Sequence, residues 1–218
     1  MCFSATASFL TAAVTGMSGA AAVSRTQERR ELPLAAVPLF FAAQQTIEGA
    51  LWLALPVTPQ GAACQALTHS FLFLALIFWP LYAPLAALAL EDDPLRRRLI
   101  AVCAAVGMGT ALYLASVLIG GTHAAILKDG HLIYDSQPPP SGAVGIFYLI
   151  ATGLGPALSS HRAINILAVI VVLGSVVAYV AYWDAFVSVW CFFAAAASVV
   201  ILMHFQRARE ARQKQSAV

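Results

Sequence analysis

Seven apolar stretches alternate with short polar punctuation along the chain, at 3–24, 32–55, 66–90, 99–120, 142–160, 164–182 and 184–205. Each approaches the about 20 residues that an α-helix needs to cross the hydrocarbon core of a bilayer. The punctuation reads RTQERRE, PVTPQGAACQ, EDDPLRRR, a longer stretch at 121–141, HRA and the junction Trp183-Asp184. At that last junction, one long bent helix fits the pattern as well as two. The pattern predicts an all-α integral membrane protein, with one seven-helix transmembrane domain over 1–206 and a basic tail over 207–218. Pro80 and Pro84 predict a bend in the third helix, because each removes a backbone N–H from the ladder.

The distribution of basic residues sets the expected orientation. Alternate polar segments carry Arg25, Arg29 and Arg30; Arg96, Arg97 and Arg98; Arg162; and Arg207, Arg209, Arg212 and Lys214. These are eleven of the twelve basic residues, and only Lys128 falls on the other side. Short loops with such a bias stay in the cytoplasm, so an odd number of spans puts the N-terminus outside and the tail inside. No basic residue precedes the first span, which therefore lacks the pattern of a cleaved secretory signal. A multi-pass protein of the inner membrane is the expectation.

The stretch at 121–141 carries its own pattern. Ala124–Lys128 and His131–Asp135 flank Asp129-Gly130, a dipeptide suited to a type I′ turn. A hairpin in that register puts Ala125, Leu127, Leu132 and Tyr134 on one face, and Ile126, Lys128, His131 and Ile133 on the other. A small extracytoplasmic β-hairpin between the fourth and fifth helices would then lie over the bundle as a lid.

Composition agrees with the pattern: 61% of residues are hydrophobic, 10% are charged and the mean hydropathy is +0.81. Soluble domains carry roughly 25% charged residues. Nothing in the chain points to nucleic-acid binding.

Candidate chemistry begins with Glu48, the one acidic side chain deep inside a span. It lies ~10 Å from the outer end of the second helix, with Gln44 one turn below on the same face. An intramembrane carboxylate is costly, so it should face the bundle interior beside a polar partner. The plain alternative is a protonated carboxyl serving as structural glue. Helix directions bring His69, Tyr113, Tyr148, Asp184, Ser188 and Cys191 to a similar outer level. Together with Gln44 and Glu48 they outline an outward-facing polar pocket for a small or lipidic ligand. An aromatic belt explains the tyrosines and tryptophans, but not Glu48, Gln44, His69 and Cys191. Glu48, His69 and Asp184, with His123 and Cys191 nearby, are of the right types for a metal such as zinc. Only Asp184 and Cys191 among them share a helix at ligand spacing. Hydroxyl and small residues at Ser4, Ser8, Thr11, Thr15 and Ser18 form a stripe whose ordinary meaning is helix packing. Cys2 and Cys64 fall on the oxidising side, where a disulfide is allowed.

Several activities are excluded. A retinal protein needs a lysine within a span, and Lys128 and Lys214 are both outside. The histidines at 69, 123, 131, 161 and 204 include no HxxxH pair of the kind carried by seven-helix zinc hydrolases. They are also too few within helices for a di-haem site.

The opening MCFSATASF, the segment PLFFAAQQTIEGALW and the segment SVWCFFAAAAS resemble a family of bacterial multi-pass membrane proteins of uncharacterised function. The resemblance spans nearly the whole chain. It implies that Cys2, Gln44, Gln45, Glu48, Trp190 and Cys191 belong to family motifs, and it supplies no activity, cofactor or ligand.

The reading favoured by the sequence is a ligand-binding membrane protein acting as a sensor, or as an accessory subunit to a membrane-protein partner or a second copy of itself. The alternatives are a membrane-embedded enzyme using Glu48 with His69 or a metal, and a proton-coupled transporter or channel in which Glu48 titrates.

Overall fold

The computed structural model describes residues 4–137, 142–181 and 185–216. Among the described residues, each of the seven apolar stretches is mostly helix. Helix α1 is Ala5–Val23 and α2 is Leu32–Ala54. Helix α3 runs over Ala62–Leu90 and α4 over Pro94–Gly120. After the hairpin come α5, Gly142–Ala157, and α6, Arg162–Ala181. The chain ends in α7, Phe186–Ala197, and α8, Val199–Ser216.

Five helical rods are long and apolar enough to cross a membrane: α1, α3, α4, α6 and the rod Phe186–Glu210 built from α7 and α8. Helix α2 is long but diluted by Gln44, Gln45 and Glu48, all fully buried. Helix α5 is apolar but shorter.

Two features of the helix ends have local causes. Helix α4 begins at Pro94, because Asp93 caps it by accepting from the N–H groups of Leu95 and Arg96 at 3.0 and 2.8 Å. The basic tail continues as helix from α8 through Ser216, and the break in this rod falls at Ser198, where the hydroxyl turns back to the Ala195 carbonyl at 2.6 Å. Helices α6 and α7 pack on each other, and the Trp183-Asp184 junction between them lies outside the described residues.

The bend expected from the prolines in α3 takes the form of a π-helical turn at Phe73–Phe78, just before Pro80. Helix α5 repeats the arrangement, with a π turn at Ile150–Leu154 just before Pro156. In a π turn each carbonyl looks five residues ahead for its donor. For Ala75 and Ala151 that residue is Pro80 or Pro156, which has no N–H. Pro84 likewise offers nothing to the Pro80 carbonyl, and Gly107 of α4 sits directly against that oxygen.

The two ends of the bundle differ. At one, the turns after α1, α3 and α5 meet. Arg30 pairs with Asp92 at 2.7 Å, and Arg96 donates to the Leu158 carbonyl at 2.9 Å. Glu91, fully buried, accepts from the N–H and hydroxyl of Ser160 at 2.7 and 3.0 Å and from the N–H of Asp93 at 3.1 Å. Burial alone would push the Glu91 carboxyl up. The hydrogen bonds from Ser160, Asp93 and Ser159 outweigh it and hold the group below the usual carboxylate range.

At the other end, β1 (Thr122–Lys128) pairs antiparallel with β2 (His131–Gln137). Ala125 faces Tyr134 and Leu127 faces Leu132, in the register read from the sequence. Asp129 and Gly130 take φ of 52° and 74°, the two positive angles a type I′ turn requires. Ala125 and Leu132 are buried against Leu51, Leu55 and Cys64, and the Tyr134 ring stacks on Phe71 at 4.3 Å. The hairpin thus covers the ends of α2 and α3, while Leu127 remains exposed.

Candidate functional site

Helix α2 carries its polar residues into the bundle because it is packed on several sides. Close α1–α2 contact is made by small residues, with Gly16 against Ala42, Gly19 against Leu39 and Phe9 against Gly49. The rest of α2 faces α3, α7 and α8.

Two polar groups result. In one, the Gln44 amide bridges two helices: Trp79 Nε1 of α3 donates to Gln44 Oε1 at 2.7 Å, and Gln44 Nε2 donates to Cys191 Sγ of α7 at 3.0 Å. In the other, one turn nearer the hairpin, Glu48 Oε2 accepts from Gln45 Nε2 at 3.1 Å and Glu48 Oε1 accepts from the Ser188 hydroxyl. Gln44, Gln45, Glu48 and Ser188 are all buried, as is Cys191. In a medium without water, such satisfied networks fix helix register strongly.

A cavity of about 70 Å³ begins where the Gln44 bridge ends. Trp79, Tyr148, Trp190 and Cys191 form its polar-tipped end, and Leu34, Ile164 and other aliphatic side chains line the remainder. The Tyr148 hydroxyl donates to the Ala75 carbonyl, and Trp190 Nε1 donates to the Val171 carbonyl at 3.1 Å. Both side chains therefore line the cavity while their polar atoms bond to backbone. The sequence reading places a pocket directly beneath the hairpin. This cavity lies instead beyond the Gln44 bridge, toward the end of the bundle where the arginines gather.

The structure brings Gln44, Glu48, Ser188 and Cys191 together, with Tyr148 across the adjoining cavity. It does not bring His69 or Tyr113 to them. His69 is exposed, bonds back to the Gln65 carbonyl at 2.8 Å and meets His123 edge-on at 5.8 Å. Tyr113 is exposed on α4. Asp184 and Cys2 lie outside the described residues. Cys64 is a buried free thiol. Among the described residues no three of His, Cys, Asp and Glu stand close enough to hold a metal ion.

Two participants escape a reading by residue type. Trp79 looks like any membrane tryptophan, and Gln45 like a neighbour of Gln44 on another face. Counting residues from the helix ends would have found Trp79, since it and Gln44 lie 11 and 12 residues from the arginine-rich ends of α3 and α2.

Apolar rods, buried polar residues and short connections define a helical membrane protein. Within that class the chain belongs to DUF6629, a family of unknown function whose model matches residues 1–216. No match was found among curated proteins or among solved structures.

Proposed function

We propose that this is a seven-span protein of the inner membrane, N-terminus outside, that holds the apolar part of a lipid-like ligand inside the bundle and acts as a sensor or accessory subunit. The observation that carries the reading is the Gln44 bridge between Trp79 and Cys191 at the end of an otherwise apolar cavity. Binding sites of this kind combine aromatic and aliphatic walls with a few fixed polar groups that set orientation.

Eleven of the twelve basic residues lie on the segments that meet at one end or on the C-terminal half of α8, which supports a cytoplasmic position for that end. Helices α2 and α5 complete the seven spans. The first hides its polar residues from lipid, and the second is a 16-residue rod of ~24 Å.

Native mass spectrometry of the full chain, released from detergent, tests the ligand reading. A bound lipid-like mass should accompany the protein and be lost in Ala194→Phe, which fills the cavity wall. Equal occupancy in both proteins, or none in either, would sink it. Reporter fusions test the topology: those after Arg30, Arg98 and the C-terminus should read cytoplasmic, and those at Gly61 and Gly130 external. Two contrary fusions would overturn the orientation.

A further inference from the structure

The cavity beyond the Gln44 bridge has a shape as well as a chemistry. Its wall runs from Leu34 to Phe41 on α2, from Trp79 to Ala86 on α3 and from Ile164 to Val171 on α6. Each pair stands seven residues apart, which is ~10 Å along a helix axis. A volume of about 70 Å³ drawn out over that length is a narrow slot. A buried space that takes a benzene ring has roughly 150 Å³, about twice as much. A fused-ring body is therefore too wide for the slot. One extended hydrocarbon chain fits over about eight carbons, since a carbon–carbon bond of about 1.5 Å advances such a chain by ~1.25 Å.

The wall offers no donor to a polar head group. Trp79 Nε1 donates to Gln44, Trp190 Nε1 to the Val171 carbonyl and the Thr152 hydroxyl to the Tyr148 carbonyl. The Tyr148 hydroxyl donates to the Ala75 carbonyl. Each N–H and O–H of the lining side chains is thereby engaged within the protein. A head group drawn into the slot would lose its water and gain nothing in return. It must stay outside, at the end where Leu34, Ala86 and Ile164 stand two to four residues from the ends of their helices.

At that end the acidic side chains are engaged and two arginines are not. Glu28 and Asp92 pair with Arg30, Glu91 accepts from Ser160, Asp93 caps α4 and Glu31 accepts from the Gln27 N–H at 2.6 Å. Arg29, five residues before Leu34, and Arg162, two before Ile164, are exposed, with no hydrogen bond or ion pair among the described residues. The charge left for a ligand there is positive.

We infer that the cavity takes one straight hydrocarbon chain of an anionic amphiphile, with its terminal methyl against Trp79 and Trp190 and its carboxylate or phosphate at the end that carries Arg29 and Arg162. The inference rests on the lipid-binding reading above and adds the number of chains, the direction of insertion and the sign of the head group. A free fatty acid and one chain of an anionic phospholipid present the same chemistry to the slot.

The test is tryptophan fluorescence of the full chain in non-ionic detergent, titrated with hexadecanoic acid brominated at its methyl end or beside its carboxylate, because bromine quenches an indole that it touches. The methyl-end probe should quench saturably and the carboxylate-end probe far less. Unlabelled hexadecanoate should reverse the quenching. Hexadecan-1-ol should compete about fivefold less well, the worth of one charge beside a basic surface, and hexadecyltrimethylammonium less well again. Cholesteryl hemisuccinate, anionic but built on fused rings, should not compete. Lysophosphatidylglycerol competing better than hexadecanoate assigns a phosphate head, and the reverse order a carboxylate; both support the inference. Stronger quenching by the carboxylate-end probe overturns it, as does competition by the alcohol, the ammonium or the sterol ester equal to that by hexadecanoate. In those cases a lipid-binding cavity still stands. Absence of saturable quenching by either probe also overturns the inference, and the bound mass in native mass spectrometry then decides whether the lipid-binding reading falls with it. Ala194→Phe should abolish the saturable quenching, and quenching that persists there places the chain elsewhere and overturns it. If that variant does not fold, the competition series on wild type decides.

Discussion

Tyr148 donates its hydroxyl to the carbonyl of Ala75, across the α5–α3 contact. The π turn of α3 directs that carbonyl toward residue 80, where a proline has no hydrogen to give. A side chain from another helix supplies the missing donor. The bond thus joins two irregularities, since Tyr148 sits two residues before the π turn of its own helix and its carbonyl accepts from the Thr152 hydroxyl at 2.9 Å.

Tyr148→Phe keeps the ring and removes the donor. It should lower stability by about 1–3 kcal/mol, the cost of a buried carbonyl left unsatisfied. Chemical unfolding in detergent would measure it, and a change under half a kcal/mol would mean that the carbonyl finds another donor.

Gly107→Ala tests the α3–α4 contact. A Cβ there would stand 2.0 Å from the Pro80 oxygen and 3.0 Å from the Ala151 Cβ, and the first of these is backbone that cannot swing aside. The variant should lose at least the ~1–3 kcal/mol typical of overpacking, read as a lower unfolding temperature or loss of folded yield. Gly109→Ala, with open space around it, is the control and should behave as wild type.

Glu91 gives a pH dependence with a definite sign. Its folded carboxyl titrates below the ordinary range, so its contribution is present above about pH 4.3 and is lost as pH falls through the lower folded value. Wild type should exceed Glu91→Gln in unfolding temperature at pH 7, and the gap should close on acidification. A gap that stays constant down to pH 3 would show that the charge is not what matters.

Gly130→Val forces a β-branched residue into φ of 74°. The left-handed region costs a non-glycine residue about 1–2 kcal/mol, so amides of β1 and β2 should exchange faster while those of α3 and α4 keep their protection. Equal acceleration in the helices would mean that the hairpin is part of one cooperative unit with the bundle.

The hairpin was legible down to its register because its signals are local: a dipeptide that tolerates positive φ and an alternation of period two. The helices were legible because twenty apolar residues in a row have few other uses. The polar core was legible in part. Glu48 and Gln44 announce themselves by their cost in an apolar helix. What they bond to depends on rotation and tilt, which the small residues of α1 and the π turns of α3 and α5 determine. A π turn adds a residue to a helical cycle and rotates everything after it by roughly 100°, so faces counted at 3.6 residues per turn drift past Phe73. His69 stands before that turn with its ring exposed, and Trp79 stands after it against Gln44.

The Glu91 clasp makes the molecule a sheaf bound near one end. Three connecting turns are knotted there by Arg30–Asp92, Glu91–Ser160 and Arg96–Leu158. At the far end the hairpin lies on α2 and α3, held by the Tyr134–Phe71 stack and a few aliphatic contacts. Any splaying of the rods is therefore smallest at the arginines and largest beneath the hairpin. A change in lateral pressure from the surrounding lipid would first be felt where Tyr134 rests on Phe71, close to the buried carboxylate.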